Sequence, residues 1–423
     1  MQKRDFIKTL ALAGISLPLN GKELNDLFFK LNNSNATELA SDDDFWRNIR
    51  NDYRLKTDYI NLENGYYSMM PETVLSNYLK EIKALNFQAS FYMRKKMTDD
   101  KMEVRKQLAN YLKCNYEELI ITRNTTESMN TIISGIDWKA GDEAIMAYQD
   151  YGAMLDMFKQ QAERYGMVNK IISIPNHPKS DEEIVSLYEN AITPNTKLIM
   201  VCHMLNITGH ILPIKKICEM AHKHNVKVLV DGAHAIAHID FNINELNCDY
   251  YASSLHKWLS VPLGAGLLYV KKENIESIWP VNGEYSYAKT DIRKLNHTGT
   301  QPMATELSIK HAIAFNENIG INRKEARLRF LKNYWVNEIK DIKNVKINTP
   351  FETERSCGIA NIGLKNFTPA DMAKTLLEKY KIWTVAIDNP TANVQGCRIT
   401  PSVYTTTKEL GIFIAAIKKM SAE

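Results

Sequence analysis

Lys257 and His256 stand side by side in "SSLHKWLSVPLGAG", residues 253 to 266, just ahead of a Gly-rich turn. A long cationic side chain at such a place is either a solvated surface charge or a reactive amine. Other polar residues recur where apolar runs end. Thr125 and Thr126 follow "ELIITR", Asp150 and Tyr151 follow "EAIMAY", and His203 and Asn206 follow "LIMVC". Asp231 and His234 follow "VKVLV", and Ser254 closes "CDYYASS". Singly these residues have ordinary readings: an Asp at a strand end commonly caps a helix, and a Lys commonly lies on the surface. As a set they meet four chemical demands. These are an amine that forms an imine, an acid that keeps a pyridine nitrogen protonated, a cradle for a phosphate and an aromatic face for a ring. Pyridoxal 5'-phosphate (PLP) makes those demands. Lys257 supplies the amine and Asp231 the acid. Thr125 and Thr126 open a helix whose free N–H groups and positive dipole end suit a phosphate, and Tyr151 covers the ring.

The elements that must position this set are legible as an alternation. Apolar runs "ELIITR", "EAIMAY", "VNKIISI", "TKLIMVCHM" and "VKVLVDGAH" read as strands, separated by helical stretches such as "GAMLDMFKQQAERYG" and "IKKICEMAHKHN". "CDYYASS" and "GAGLLYV" follow as further strands. Strands alternating with helices of roughly 10 to 15 residues predict a mostly parallel sheet wrapped by helices. In such sheets ligands bind beyond the carboxyl ends of the strands, where the polar set falls. Upstream, "DYINLENGYYSMMP" reads as a short strand and a Gly turn. "TVLSNYLKEIKALNF" and "DKMEVRKQLANYL" then read as helices. From about residue 310 the pattern changes: the long charged helix "NRKEARLRFLKNYWVNEIKDI" leads into strands and helices of α+β type. The expected organisation is a signal-like segment and linker at 1–44, a large domain at 71–300, and a smaller one built from 45–70 and 301–423.

The motifs "TRNTTESMN", "HMLNITGHILPI", "VDGAHA", "SSLHKWLSVPLGAG", "HTGTQP" and "CRITPSVYTT" occur in this order over roughly residues 58 to 415. In order and spacing the chain resembles the class V aminotransferase-like PLP enzymes of fold type I, most closely their isopenicillin N epimerase-like group. The resemblance implies an α/β fold: a mostly parallel seven-stranded sheet in the large domain and a smaller α+β C-terminal domain. It implies PLP as cofactor, with Lys257 as the Schiff-base lysine and Asp231 as partner of the ring nitrogen. It makes Thr126, Ser254 and His256 phosphate ligands. Tyr151 stacks on the ring, and Asn206 and His234 reach the phenolic oxygen. Arg398 binds the substrate α-carboxylate, with Asn64 also on the substrate side. Thr300 matches a phosphate contact donated to the neighbouring subunit, so the resemblance implies a homodimer.

The same resemblance leaves the reaction open. Sulfur transfer needs a nucleophilic cysteine on a loop shortly before the carboxylate-binding arginine. The corresponding stretch, "WTVAIDNPTANVQGC", offers only Cys397, directly next to Arg398, and it reads as a small apolar residue on a buried strand. Desulfurase or other lyase chemistry is therefore ranked last. Epimerisation or racemisation at the α-carbon of an amino acid is ranked first, with class V aminotransfer as the alternative. Epimerisation also needs a second acid or a mobile lysine, for which Tyr66 and Tyr67 are candidates against a packing role.

Composition excludes several other classes. The net charge of +4 over 423 residues, with no block of basic residues interleaved with aromatics, gives no footprint for nucleic acid. No apolar run reaches the roughly 18 residues that a membrane span requires. The 6 cysteines are scattered without a CxxC, so neither a disulfide framework nor a zinc site is expected. The N-terminal "KRDFIKTLALAGISLPL" has a basic start and a short apolar stretch, the layout of an export signal. It resembles a twin-arginine signal in which Lys3 replaces the first arginine. That route leads to the periplasm; a plain amphipathic helix there leaves the protein in the cytoplasm. "NNSNATELASDDD" reads as a linker.

Overall fold

A computed structural model describes residues 35–423; the export-like segment lies outside the described residues. The strands, in chain order, are β1 (Ile60–Asn61), β2 (Leu119–Thr122), β3 (Glu143–Ala147), β4 (Val168–Ile172), β5 (Thr196–Cys202), β6 (Lys227–Asp231), β7 (Tyr250–Ser254) and β8 (Gly266–Val270). They continue with β9 (Val345–Ile347), β10 (Ala360–Leu364), β11 (Ile382–Trp383), β12 (Val385–Asn389) and β13 (Val394–Ile399).

Seven of them form one sheet in the order β2-β8-β7-β6-β5-β3-β4. All neighbours pair in parallel except β8, which runs antiparallel to both β2 and β7. This is the mostly parallel seven-stranded sheet expected from the resemblance. The sequence explains why both of its faces are covered. On β3, Ile145 and Ala147 enter one core while Ala144 and Met146 enter the other. On β6, Val228 and Val230 divide from Leu229 in the same way. Successive side chains of a strand point to opposite faces, so a continuous apolar run requires helices on both sides. The helices Thr125–Gly135 and Gly152–Tyr165 cover one face, with Met129, Ile132, Met154 and Phe158 fully buried there.

A second core lies under the four-stranded antiparallel sheet β12-β13-β10-β9. It gathers Leu331, Trp335, Ile362, Leu376 and Phe413, and it takes in Leu62 from the N-terminal side because β1 pairs in parallel with β11. Between the two cores run the helices Met303–Ile319 and Ile321–Ile339, separated by Gly320. Leu307, Ile309 and Phe315 of the first share the large sheet's core, whereas Leu331, Trp335 and Ile339 of the second belong to the smaller one. The helix expected over "TVLSNYLKEIKALNF" is longer in the structure, Glu72–Lys95, with a non-helical break at Ala89 (φ 46°). Among the described residues no helix is long and apolar enough to cross a membrane.

Candidate active site

Cys202, Asp231 and Ser254 are the last residues of β5, β6 and β7, three adjacent strands. Their carboxyl ends open on a cavity of about 430 Å³. Thr125, Thr126, Tyr151, Asn206, Asp231, His234, Ser254, His256, Lys257 and Arg398 all border it. Asp150 and His203, also named at the strand ends, do not border it, and neither do two residues given a site role, Asn64 and Thr300. Asn64 is fully buried and its amide is consumed by the interior: Nδ2 donates to Thr400 O at 2.7 Å, while Oδ1 accepts from Asn61 and from the Tyr404 hydroxyl. Thr300 lies exposed in the segment between Leu295 and Met303, away from this cavity wall.

At one end of the cavity the helix Thr125–Gly135 presents its N-terminus. The first turn of a helix leaves N–H groups without intrahelical partners. Two are taken: Thr125 N donates to Ser254 Oγ at 2.9 Å, and Glu127 N donates to Asn124 Oδ1 at 2.9 Å. Thr126, between them, faces the cavity. The Thr125 and Ser254 hydroxyls stand 2.7 Å apart, tying the helix to the end of β7. Gly266 on β8 makes this junction fit, because a Cβ there would lie 2.6 Å from Asn124 Cα. Donors, hydroxyls and a positive dipole end converge, an arrangement that binds phosphate.

At the centre, Lys257 is half-buried in the turn that follows β7. Its Nζ lies 3.1 Å from His234 Nε2. Burial lowers the amine's pKa to about 8; the Asp231 charge opposes the shift and that of Arg398 reinforces it. Asp231 is buried, and Ala233 N donates to its Oδ1 at 2.9 Å. Burial raises this carboxyl above its ordinary value, against the pull of the Ala233 N–H and of Lys257. His234 is buried and pushed well below the usual imidazole range by burial and by the Lys257 and Arg398 charges. His256 is lowered to about 4, by burial first and by Lys257 second. Both imidazoles are therefore neutral at pH 7.

At the far end, Arg398 extends from β13 and is met by Glu63, which follows β1. Its Nε and Nη2 donate to the two Glu63 oxygens at 3.2 and 2.5 Å, and its Nη1 donates to Asn206 O at 3.2 Å. The two side chains are 8% and 7% exposed, so the pair is shielded from bulk water. Gly65 permits this approach, since a Cβ there would stand 2.9 Å from the guanidinium carbon.

A family model, aminotransferase class-V, matches residues 61–410. The chain belongs to that family. Isopenicillin N epimerase of Streptomyces clavuligerus is 25% identical over 395 residues, spanning 89% of this chain and 99% of that protein. A probable cysteine desulfurase of Halalkalibacterium halodurans is 28% identical over 272 residues, 62% of this chain and 65% of that protein. In three dimensions the chain is similar to the apo structure of a cysteine desulfurase from Thermococcus onnurineus. The TM-score is 0.79 at 22% identity, covering 88% of this chain and 97% of that one.

Class-V aminotransferases depend on PLP, and the residues of this chain fit that group. A buried carboxyl stands at the end of β6, raised by burial and suited to pairing with a protonated ring nitrogen. Asn206 Oδ1 is buried without a hydrogen-bond partner among the described residues. The helix N-terminus at Thr125 and Thr126 borders the cavity and would suit a phosphate. Three contributors escaped the sequence reading. Glu63 was signalled only by an acid following a short strand in "LENG", and its partner is 335 positions away. Trp258, adjacent to Lys257, donates from Nε1 to His234 Nδ1 at 3.3 Å. Cys202 borders the cavity, but burial and the neighbouring Asp150 and Asp231 charges push its thiol well above the ordinary range. Of the two tyrosines considered as second acids, Tyr66 borders the cavity and is 78% exposed. Tyr67 packs 6.4 Å, centroid to centroid, from the His256 ring.

Proposed function

We propose that this class-V chain uses PLP to act at the α-carbon of an amino acid or amino-acid-like substrate, and that its reaction is an epimerisation or racemisation. The observation that carries the α-carbon reading is the pairing, in one cavity, of an amine with a lowered pKa at Lys257 and a guanidinium at Arg398. Such a cavity suits a substrate with an amine and a carboxylate on the same carbon. The chemistry supplied by bound PLP is imine formation with that amine and withdrawal of electrons from the α-carbon.

The chain's own residues take up the remaining tasks. Thr125, Thr126, Ser254 and His256 would hold the phosphate. Tyr151 would cover the ring, Asn206 and His234 would meet the phenolic oxygen, and Asp231 would keep the ring nitrogen protonated. Lys257 would remove the proton at the α-carbon, and inversion would need its return to the opposite face by a second acid or by a mobile Lys257. Arg398 would orient the carboxylate. Thr300 would reach the neighbouring site of a homodimer. We retain the division into a large domain, 71–300, and a smaller one from 45–70 and 301–423, preceded at 1–44 by an export-signal-like segment and linker, of which Ala36–Ala40 is helical with Leu39 in the large sheet's core.

Epimerisation is supported by the isopenicillin N epimerases spanning nearly their whole length on this chain. It is supported also against sulfur transfer by the state of the thiols. Cys397 is fully buried on β13, its Sγ 3.6 Å from Pro369 O, and its thiol is pushed up to about 12. A nucleophile must be a thiolate with access to substrate. Aminotransfer is the second reading, favoured because Lys257 is the one amine bordering the cavity among the described residues. One base on one face suffices for that proton shift. A panel of L- and D-amino acids in deuterated water separates the two. Exchange at the α-carbon with inversion and no loss of amine supports epimerisation. Conversion to the 2-oxo acid supports aminotransfer, and release of sulfide or alanine overturns both.

A further inference from the structure

Lys257 is followed by a tryptophan whose indole faces the same histidine that Lys257 faces. We propose that Trp258 and His234 form a tautomer lock that aims a hydrogen-bond donor at Lys257 and so holds its amine as the free base. The inference rests on the proposed role of Lys257 as the reacting amine and explains how the protein prepares it.

An indole N–H only donates. Trp258 Nε1 lies 3.3 Å from His234 Nδ1, so that nitrogen accepts. His234 is buried among Lys257, Arg398, His238 and His256, and is neutral. A neutral imidazole carries one N–H, and with Nδ1 accepting, the partners assign that proton to Nε2. Nε2 is the atom 3.1 Å from Lys257 Nζ. An ammonium has three donors and no acceptor, so it would set donor against donor. A free amine offers its lone pair and satisfies the contact.

The lock is itself held from two directions. Gly358 N donates to His238 Nε2 at 2.8 Å, which leaves the proton on His238 Nδ1 to donate to His234 O at 2.8 Å. The His238 ring lies 3.8 Å, centroid to centroid, from the Trp258 ring, tilted by 33°. Lys324, from the helix Ile321–Ile339, donates to Trp258 O at 2.5 Å and to Asn316 Oδ1 at 2.7 Å. Swinging the indole away would therefore break its contact with the His238 ring, while Lys324 holds the residue's backbone. Around the amine, Asp231, Cys202 and Glu63 favour the charged form, while burial and Arg398 oppose it; His256 is neutral. The lock tips this balance.

The test uses the full-length protein freed of cofactor, so that its outcome is separate from any result on PLP. Competitive acetylation across pH 6 to 11, read by mass spectrometry at Lys257, gives the amine's apparent pKa. Trp258→Phe keeps the ring against His238 and removes only the N–H. It should raise the pKa by about one unit, leaving roughly tenfold less free base at pH 7. His234→Ala should raise it at least as far, and the double variant no further than His234→Ala alone. An unmoved titration in a folded Trp258→Phe protein, or additive effects in the double variant, would overturn the proposal. If the variants do not fold, the wild type still decides. Long-range proton–nitrogen spectra of protein labelled with 15N-histidine should show His234 as the Nε2–H tautomer. The Nδ1–H tautomer or an imidazolium there would refute the lock. A pyridoxyl label absent from Lys257 would instead sink the functional reading and leave these titration and tautomer results standing.

Discussion

At the centre of the cavity Lys257 meets a neutral histidine, and at its far end Arg398 meets a carboxylate. The two cations share one crevice but are treated in opposite ways. The amine has to lose its proton to react, and its surroundings favour the uncharged form through burial. The guanidinium has to stay charged to bind a carboxylate, and Glu63 gives it a fixed partner. Glu63 takes the edge formed by Nε and Nη2 and Asn206 O takes one Nη1 donor, so a substrate carboxylate would have to meet the remaining Nη1 and Nη2 hydrogens. On the proposed roles, the difference teaches that this site would separate reactivity from recognition: Lys257 stands beyond the strand ends of the large sheet, and Arg398 is brought in by β13 of the small one.

Breaking the amine's side of the comparison should cost most. Lys257→Ala removes both the imine-forming group and the base, so the α-carbon exchange rate should fall by at least about 10³-fold, with loss of the cofactor's imine absorption. Asp231→Ala should lower the rate by roughly 10²- to 10³-fold while cofactor affinity changes far less, since an electrostatic contribution to the reacting state is lost. Unchanged kcat in this variant would contradict the pairing with a ring nitrogen. At the far end, Arg398→Ala should act on KM. The loss of charge-assisted hydrogen bonds, about 1.5 to 3 kcal/mol, corresponds to roughly 10- to 100-fold weaker binding of carboxylate substrates. Glu63→Gln sharpens the comparison with the smallest effect. It keeps an acceptor for Arg398 and removes the opposing charge, so KM for carboxylates should fall by about threefold. A rise in KM would show that Glu63 works by positioning Arg398 and not by tempering its charge.

Much of the large sheet was legible because its strands are buried on both faces and read as unbroken apolar runs. Lys257, Asp231, Ser254 and the Thr125–Thr126 pair were legible for a related reason: each terminates or follows such a run, where side chains must face the ligand crevice. Relations between distant segments were not. The Glu63–Arg398 pair depends on β1 joining β11, a two-residue pairing with no periodic signal. Asn64 and Glu63 are neighbours on one turn, and sequence alone does not say which of the two faces the cavity. The structure turns Asn64 inward onto Thr400 and leaves Glu63 on the arginine. Trp258 carries no signal of its own in the sequence, and it is buried. Its importance lies in one N–H whose target becomes visible only once β6 and β7 are side by side.

The most direct test of the whole account is chemical trapping in the wild-type protein. Borohydride reduction after loading with PLP, followed by digestion and peptide mapping, should place the pyridoxyl mass on the peptide that carries Lys257 and on no other. A label on a different lysine, or no label on any, would contradict the assignment on which every role in the cavity depends.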